Sequence, residues 1–599
     1  MAVYPPRSKV KKNQTWNAES VFKNQRAWQE ELAKVLGDLD SVKRFQGRLG
    51  EGPSTLLDAL KARDELNDRT WRLYMYAGFT YSVDTTDQQA AGAQGKAASM
   101  AGQVAAAIAF ISPELIGIGM PKLQEWMNQE PKLAVYAQSF KDLFRREAHV
   151  RSGEVEELLG MLADPMSGPQ NTASMITNAD FKFSPAENSK GRKLEVTQSS
   201  IHQILGTSDR AARQSAWNSY MDRHVEFKNT LSSNLTTAIK ANVFQMHARK
   251  HDSSLAASLF ETNVPVEVFH NLINTFKKHL PVWHRYFEVR RRALRQSSIA
   301  YYDMWAPLAK KDTKLSFKEA VDMICEGLGP MGKEYTDIIR KGCLQERWVD
   351  YAPNKGKQNG AFSYGSPGTF PFIMMSFTGD VGSMSTLAHE LGHSMHSYLS
   401  WKNQPLVYSE YSLFVAEVAS NFHQAMVRAR LLDTRTNRSF QIALIEEAMS
   451  NFFRYFFQMP TLARFELETH QRIESGEALT ADSMIALMAD LFAEAFGPKV
   501  KIDRPRVGMV WSTFSHLFSD YYVYQYATGI AGAHALSGRI LRGEPHSVED
   551  YLGFLKAGSS DYALNVLKRA GVDLASPQPI EETFAVMEGY IDRLERLVK

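Results

Sequence analysis

The sequence predicts a mainly α-helical protein of two or more lobes with little β structure. At 599 residues the chain is too long to fold around one core. Apolar residues recur at three- and four-residue spacing from about Val21 to Leu162, and again from near Asp209 to the end. Strand-like patterns are confined to a mid-chain segment and to one run ahead of residue 380.

The first helical stretch is broken at turn-rich points such as Gly50 to Ser54. Asp164-Pro-Met-Ser-Gly-Pro169 reads as a loop, because two prolines and a glycine punctuate six residues. Asp180-Phe-Lys-Phe183 and Lys193-Leu-Glu-Val-Thr197 then alternate around Asn188-Ser-Lys-Gly191, the pattern of a small β-hairpin. This change of character divides the chain into an N-terminal helical lobe over 1–198 and a second part over 199–599. Phe370-Pro-Phe-Ile-Met-Met-Ser-Phe377 follows the Gly-rich 355–368 and reads as a short strand entering just before the next helix. The sequence holds no internal repeat and no low-complexity segment.

Composition narrows the function classes. A hydrophobic share of 44% with 23% charged residues is that of an ordinary soluble globular protein. The net charge of +3 gives no footprint for nucleic acid, and the basic Arg7 to Lys12 reads as a solvated tail. Two cysteines, Cys325 and Cys343, exclude a disulfide framework and fit a reducing, cytoplasmic compartment. No apolar region follows the N-terminal Met1-Ala-Val-Tyr-Pro-Pro6, so no secretory signal is expected there. The most apolar run, Val104 to Ile111, is stopped by Pro113 and is too short to span a bilayer, so no membrane partner is expected.

Chemistry enters with His389-Glu390-Leu391-Gly392-His393. At about 100° per residue, His393 lies only about 40° around a helix from His389, so both imidazoles can reach one metal ion. Glu390 lies about 100° from His389, beside the metal, where it can take a proton from a water that the metal acidifies. Met384, Leu387, Leu391, Met395 and Tyr398 form a stripe roughly opposite the His face, as expected if one side packs and the other carries ligands. This is the pattern of a zinc peptidase helix.

A catalytic zinc takes three protein ligands and keeps one position open. His396 shares the His389 face, but seven residues rise about 10.5 Å, too far for both to bind one tetrahedral ion. The H-x-x-G-x-x-H continuation that returns a third His is absent, so His396 reads as a polar neighbour. Glu417 is the better donor. It stands in the apolar Leu413-Phe-Val-Ala-Glu-Val-Ala-Ser420, where a carboxylate is costly to bury without a cation. Pro405 breaks the intervening Trp401-Lys-Asn-Gln-Pro405 and lets a second helix return across the first. Glu410, Asn421 and Gln424 share roughly the Glu417 face, and any of them is a candidate to hold a ligand imidazole.

Several motifs together resemble the oligoendopeptidase F branch of the thimet-oligopeptidase-like zinc peptidases. They are Asn359-Gly-Ala-Phe-Ser-Tyr-Gly365, Thr386 to Ser397 around the metal motif, and Phe414-Val-Ala-Glu-Val-Ala-Ser420. Trp16-Asn-Ala-Glu-Ser-Val-Phe22, Asn178-Ala-Asp-Phe-Lys-Phe183, Ser258-Leu-Phe-Glu-Thr-Asn-Val-Pro265, and His516 with Tyr521-Tyr-Val-Tyr-Gln-Tyr-Ala-Thr-Gly529 extend the match over nearly the whole chain.

The resemblance implies a two-lobed helical zinc peptidase with a deep cleft that admits short, unstructured peptides. It also implies that a His and a Tyr from the C-terminal segment face the metal and stabilise the oxyanion of peptide hydrolysis. His516 and Tyr524 match best, and Tyr521 is a lesser candidate. Read on sequence alone, tyrosines at this density are half-buried packing, and the His-to-Tyr spacing is shorter than in the thimet branch.

An edge strand at 370–377 beside the metal would hold an extended peptide by main-chain hydrogen bonds, whereas a core strand would not. The expected protein is a zinc-dependent endopeptidase with one zinc on His389, His393 and Glu417 and with Glu390 as base. A helical zinc carboxypeptidase and a non-catalytic peptide-binding protein are the rivals. Cobalt or manganese in place of zinc, and the oligomeric state, stay open.

Overall fold

A computed structural model describes residues 4–309 and 314–599. As the spacing predicts, helices dominate. The elements that position the site run along the chain as α1 (Pro53–Val83), α2 (Gln88–Ile108), β1 (Ala186–Glu187), β2 (Lys193–Leu194), β3 (Ile299–Ala300), β4 (Val349–Asp350), β5 (Phe362–Tyr364), β6 (Phe372–Met374), α3 (Val381–Asn403), α4 (Leu413–Thr434), α5 (Met459–Glu474), β7 (Val500–Lys501) and α6 (Tyr524–Leu541), among further helices.

The chain groups into two compact units, each drawn from three stretches. One comprises Met1–Ala148, Thr313–Leu431 and Leu536–Gly571; the other comprises His149–Asp312, Leu432–Ala535 and Val572–Lys599. This grouping does not coincide with the sequence division at 198/199, because it is set by contacts between distant segments.

In the first unit α1 starts at Pro53, whose missing N–H costs nothing at a first helical position. Leu56, Leu60, Leu73 and Ala77 bury one side of it. Asp87 caps α2 by accepting the Gln89 and Ala90 N–H groups, and Ala90, Ala93, Ala97, Met100, Val104 and Ala107 form its buried stripe. The stretch Gln88–Ile118, α2 and the short helix Ile111–Ile118 that follows it, is long and apolar enough by length and composition to cross a membrane. Small Ala and Gly residues ahead of Val104 supply the apolar length that the Val104 to Ile111 run alone lacks.

The opposite face of α1 carries Met75, Phe79 and Val83. With Trp16 these seat the three-stranded sheet through Phe372 and Met374. The sheet order is β4-β6-β5, with β6 parallel to β4 and antiparallel to β5. The strand expected at 370–377 is therefore present but central, not an edge, and Phe372, Ile373 and Met374 are fully buried. The outer strands are β4 and β5, and β5 is the one tied to α3 through Ser363 and Ser394.

The second unit holds an aromatic core that includes Trp283, Phe287, Phe453, Phe457 and Phe496. The mid-chain hairpin is confirmed, with Ala186 opposite Leu194, but its first strand starts later than expected because Ile176–Asp180 closes as a π-helical turn. The segment read as a loop at 164–169 is helical, within Ala163–Met175. Pro165 falls in the first turn, where its N–H is not needed, and Pro169 is accommodated inside the helix.

Candidate metal centre and active site

Asp380 starts α3 with a reciprocal cap. Its carboxylate accepts the Ser383 N–H at 2.7 Å, and Ser383 Oγ lies 3.1 Å from the Asp380 N–H. Met384, Leu387, Leu391 and Met395 are buried, as the stripe requires. The chain leaves helix at Gln404, turns at Pro405, and returns as α4.

Gly392 makes the return crossing close. A Cβ built there would sit 2.6 Å from Ser420 Cα and closer still to the Ala419 carbonyl oxygen, so only glycine permits this approach. A glycine inside a helix costs about 0.5–1 kcal/mol relative to alanine. The sequence reading missed this role of Gly392; a glycine inside an otherwise regular helix is the signal that could have found it.

The crossing brings His389, His393 and Glu417 together, with one potential ligand atom from each lying within 4.8 Å of the others. His389 Nε2 is 3.3 Å from Glu417 Oε2, and the two imidazole centroids are 5.0 Å apart. Each donor is oriented from behind. His389 Nδ1 lies 3.1 Å from Gln424 Oε1, and Gln424 is itself held by donating to Ser385 Oγ. His393 donates to the Ala416 carbonyl, and Ser420 Oγ donates to Glu417 Oε2 at 2.9 Å.

Of the three polar residues suspected of this role, only Gln424 reaches a ligand imidazole. Asn421 donates to the Glu417 carbonyl oxygen, and burial raises the Glu410 carboxyl above its ordinary value without bringing it to a ligand imidazole. The donor set of two imidazoles and one carboxylate fits a catalytic zinc. His396 is not part of the cluster. It is buried and stacked on Tyr411 with centroids 3.6 Å apart.

Burial controls the charges here. It pushes His393 down to about 4, leaving a neutral imidazole suited to ligation. It opposes the charge of Glu417, but His389, His393 and Ser420 outweigh it and hold that carboxyl below its ordinary value. Burial raises Glu390 to about 7, the range in which a carboxylate can exchange a proton at neutral pH.

The backbone N–H of Ser363 in β5 lies beside Glu390 and favours its ionised form against burial. Ser363 Oγ in turn lies 2.8 Å from Ser394 Oγ on α3. These ties between β5 and α3 were invisible in the sequence.

The C-terminal candidates lie in the second unit. His516 stacks near Tyr522, with centroids 5.8 Å apart, and meets Tyr526 edge-on. Tyr521 and Tyr524 are both buried, and their rings pack on Phe269 at 5.6 and 5.4 Å. Tyr521 takes a left-handed backbone conformation, φ 43°, and its N–H donates to Glu466 Oε1 at 2.8 Å. The tyrosines thus separate into a buried pair and a half-exposed pair beside His516.

Comparison with known proteins fits this centre. The family model described as peptidase family M3 matches residues 204–586, and that described as oligopeptidase F matches residues 114–183. Oligopeptidase PepF of Bacillus subtilis (strain 168) is 35% identical over 595 residues, covering 99% of this chain and 88% of that protein. Group B oligopeptidase PepB of Streptococcus agalactiae serotype III (strain NEM316) is 31% identical over 592 residues, covering 99% and 98%. The crystal structure of oligoendopeptidase-F from Enterococcus faecium aligns with a TM-score of 0.75 at 28% identity, covering 96% of this chain and 99% of that one.

Proposed function

The chain belongs to peptidase family M3 and is a metallopeptidase, and from that premise we propose that it is a zinc-dependent endopeptidase cutting short, unstructured oligopeptides at internal bonds. The observation that carries the reading is the His389, His393 and Glu417 cluster with Glu390 beside it. One zinc per chain is held by those three side chains. When bound, it supplies Lewis acidity that polarises a peptide carbonyl and lowers the pKa of water.

Glu390 is the general base. A cation next to it favours its ionised form, and the Ser363 N–H fixes the carboxylate. Gln424 and the Ala416 carbonyl hold the two imidazoles in the tautomers that present a lone pair to the metal. The free edge of β5 holds the substrate main chain, which makes binding largely indifferent to sequence. His516 and Tyr524 are assigned to the oxyanion on the family resemblance, with Tyr521 as the alternative. The division at 198/199 falls between the two matched segments, and 199–599 is assigned as the catalytic part. Free, buried Cys325 and Cys343 support a reducing, cytoplasmic setting.

Internally quenched peptides blocked at both ends test the reading. Cleavage at an internal bond, abolished by chelation, is the expected result. Activity confined to peptides with a free C-terminus would make the protein a carboxypeptidase instead.

A further inference from the structure

A cavity of about 440 Å³ lies between α1, α2 and β5, walled by Tyr74, Gly78, Tyr81, Gln94, Phe362 and Tyr364. This volume is within the range of small-ligand sites. The cavity takes Phe362 and Tyr364 of β5 and no residue of β6 in its lining, which sets it on the outer side of β5; the sheet register shows which backbone groups face that side. Ile373 pairs with Ser363, and the Ile373 N–H donates to the Trp348 carbonyl on the β4 side. Ser363 and Ile373 are therefore a non-hydrogen-bonded pair, and the Ser363 N–H and C=O point away from β6 toward the free edge. That N–H meets Glu390. With that N–H turned to Glu390, a peptide added to the edge pairs with the Ser363 C=O and runs alongside Glu390.

Side chains alternate along β5. Ser363 faces the zinc helix, where it meets Ser394. Phe362 and Tyr364 face the other way, toward Trp16 and Phe79. Paired residues on adjacent strands share a face. The substrate residue opposite Ser363 thus turns its side chain to the zinc helix, and its immediate neighbours turn theirs to the α1 face. Under β5 that face is filled by Phe362 and Tyr364. Beyond the edge it continues as the cavity. Gly78 contributes to the opening, since a Cβ there would meet nothing within 4 Å.

Resting on the endopeptidase reading, we propose that this cavity is a specificity subsite that takes one large apolar or aromatic side chain, from a substrate residue adjacent to the one paired with Ser363. Main-chain pairing accepts any sequence, and the cavity adds a preference at one position.

The test uses end-blocked quenched peptides in which a single Phe is moved stepwise through an Ala background, with zinc-loaded full-length protein. Wild type should favour Phe at one position near the cleaved bond, on the order of tenfold or more in kcat/KM and mainly through KM. Gly78→Leu fills the cavity from α1 and should bring the Phe-to-Ala ratio at that position close to one. Gln94→Phe fills it from α2 and should do the same, which keeps the test decisive if one variant does not fold. No preferred position in wild type, or a ratio unchanged in either folded variant, would overturn the subsite while leaving the endopeptidase intact. Failure to cut any peptide would overturn both.

Discussion

Replacing Gly392 with alanine tests the claim that a close helix crossing assembles the metal centre. The added Cβ would lie 2.6 Å from Ser420 Cα and closer to the Ala419 carbonyl. That is about 1 Å short of ordinary carbon contact. Both neighbours are backbone atoms, so no side chain can rotate away, and α3 and α4 must part. Overpacking of this kind costs about 1–3 kcal/mol.

Glu417 precedes Ala419 by two residues on the same helix, so it moves with the displaced backbone. Metal–ligand distances tolerate only about 0.2 Å. Zinc affinity should therefore fall on the order of 10- to 100-fold, the range seen when supports of metal ligands are lost. Competition with a chromophoric chelator reads the affinity, and thermal unfolding of the metal-free protein reads the packing cost. Gly95→Ala on α2, where an added Cβ meets nothing within 4 Å, is the control and should leave zinc affinity unchanged. Zinc affinity within twofold of wild type in Gly392→Ala, with an unchanged melting temperature, would refute the crossing argument.

Glu390→Gln should retain zinc and lose most turnover, since the amide keeps the shape but not the base, whereas Glu417→Ala should lose zinc first; metal content of the two purified variants separates base from ligand. Tyr524→Phe should lower kcat on the order of 10²-fold or more with little change in KM or zinc content, as for loss of an oxyanion donor. An unchanged kcat would instead assign this ring wholly to its packing on Phe269.

Stability should depend on pH through His224, whose Nδ1 lies 2.8 Å from Ser512 Oγ and whose pKa burial lowers to about 3. Below its ordinary value of 6.5 the unfolded chain binds a proton that the folded chain refuses. The contribution is therefore complete above pH 6.5 and declines by about 1.4 kcal/mol per unit as pH falls toward 3. Urea unfolding between pH 7.5 and 5.5, as ~1-unit steps, should show a steeper loss for wild type than for His224→Gln; parallel losses would exclude this group.

The convergence of His389, His393 and Glu417 was legible because its information is local. His389 and His393 are one turn apart, and Glu417 stood out as a charge in an apolar helix. The supports were partly legible: Gln424 could be placed on the right face, but the Ala416 carbonyl and the Ser363 N–H are backbone groups that no residue type announces. That Phe372–Met374 is the central strand was not legible. It depends on Val349–Asp350 and Phe362–Tyr364, which flank it in space as the two outer strands but precede it in the chain.

Local context also overrode propensity. The prolines at 165 and 169 read as a loop yet lie in a helix, and the Asn188 side chain accepts the Lys190 and Arg192 N–H groups, tightening the hairpin turn. The tyrosines at 521–526 carry one residue type but two environments, a distinction that only tertiary packing makes.

Zinc titration of the metal-free protein is the most direct measurement of the central claim. Cleavage of an end-blocked peptide should be absent without metal and should rise linearly with added zinc to a plateau at about one equivalent per chain, because a single set of three ligands is proposed. Full cleavage by metal-free protein, or a plateau at a different stoichiometry, would contradict it.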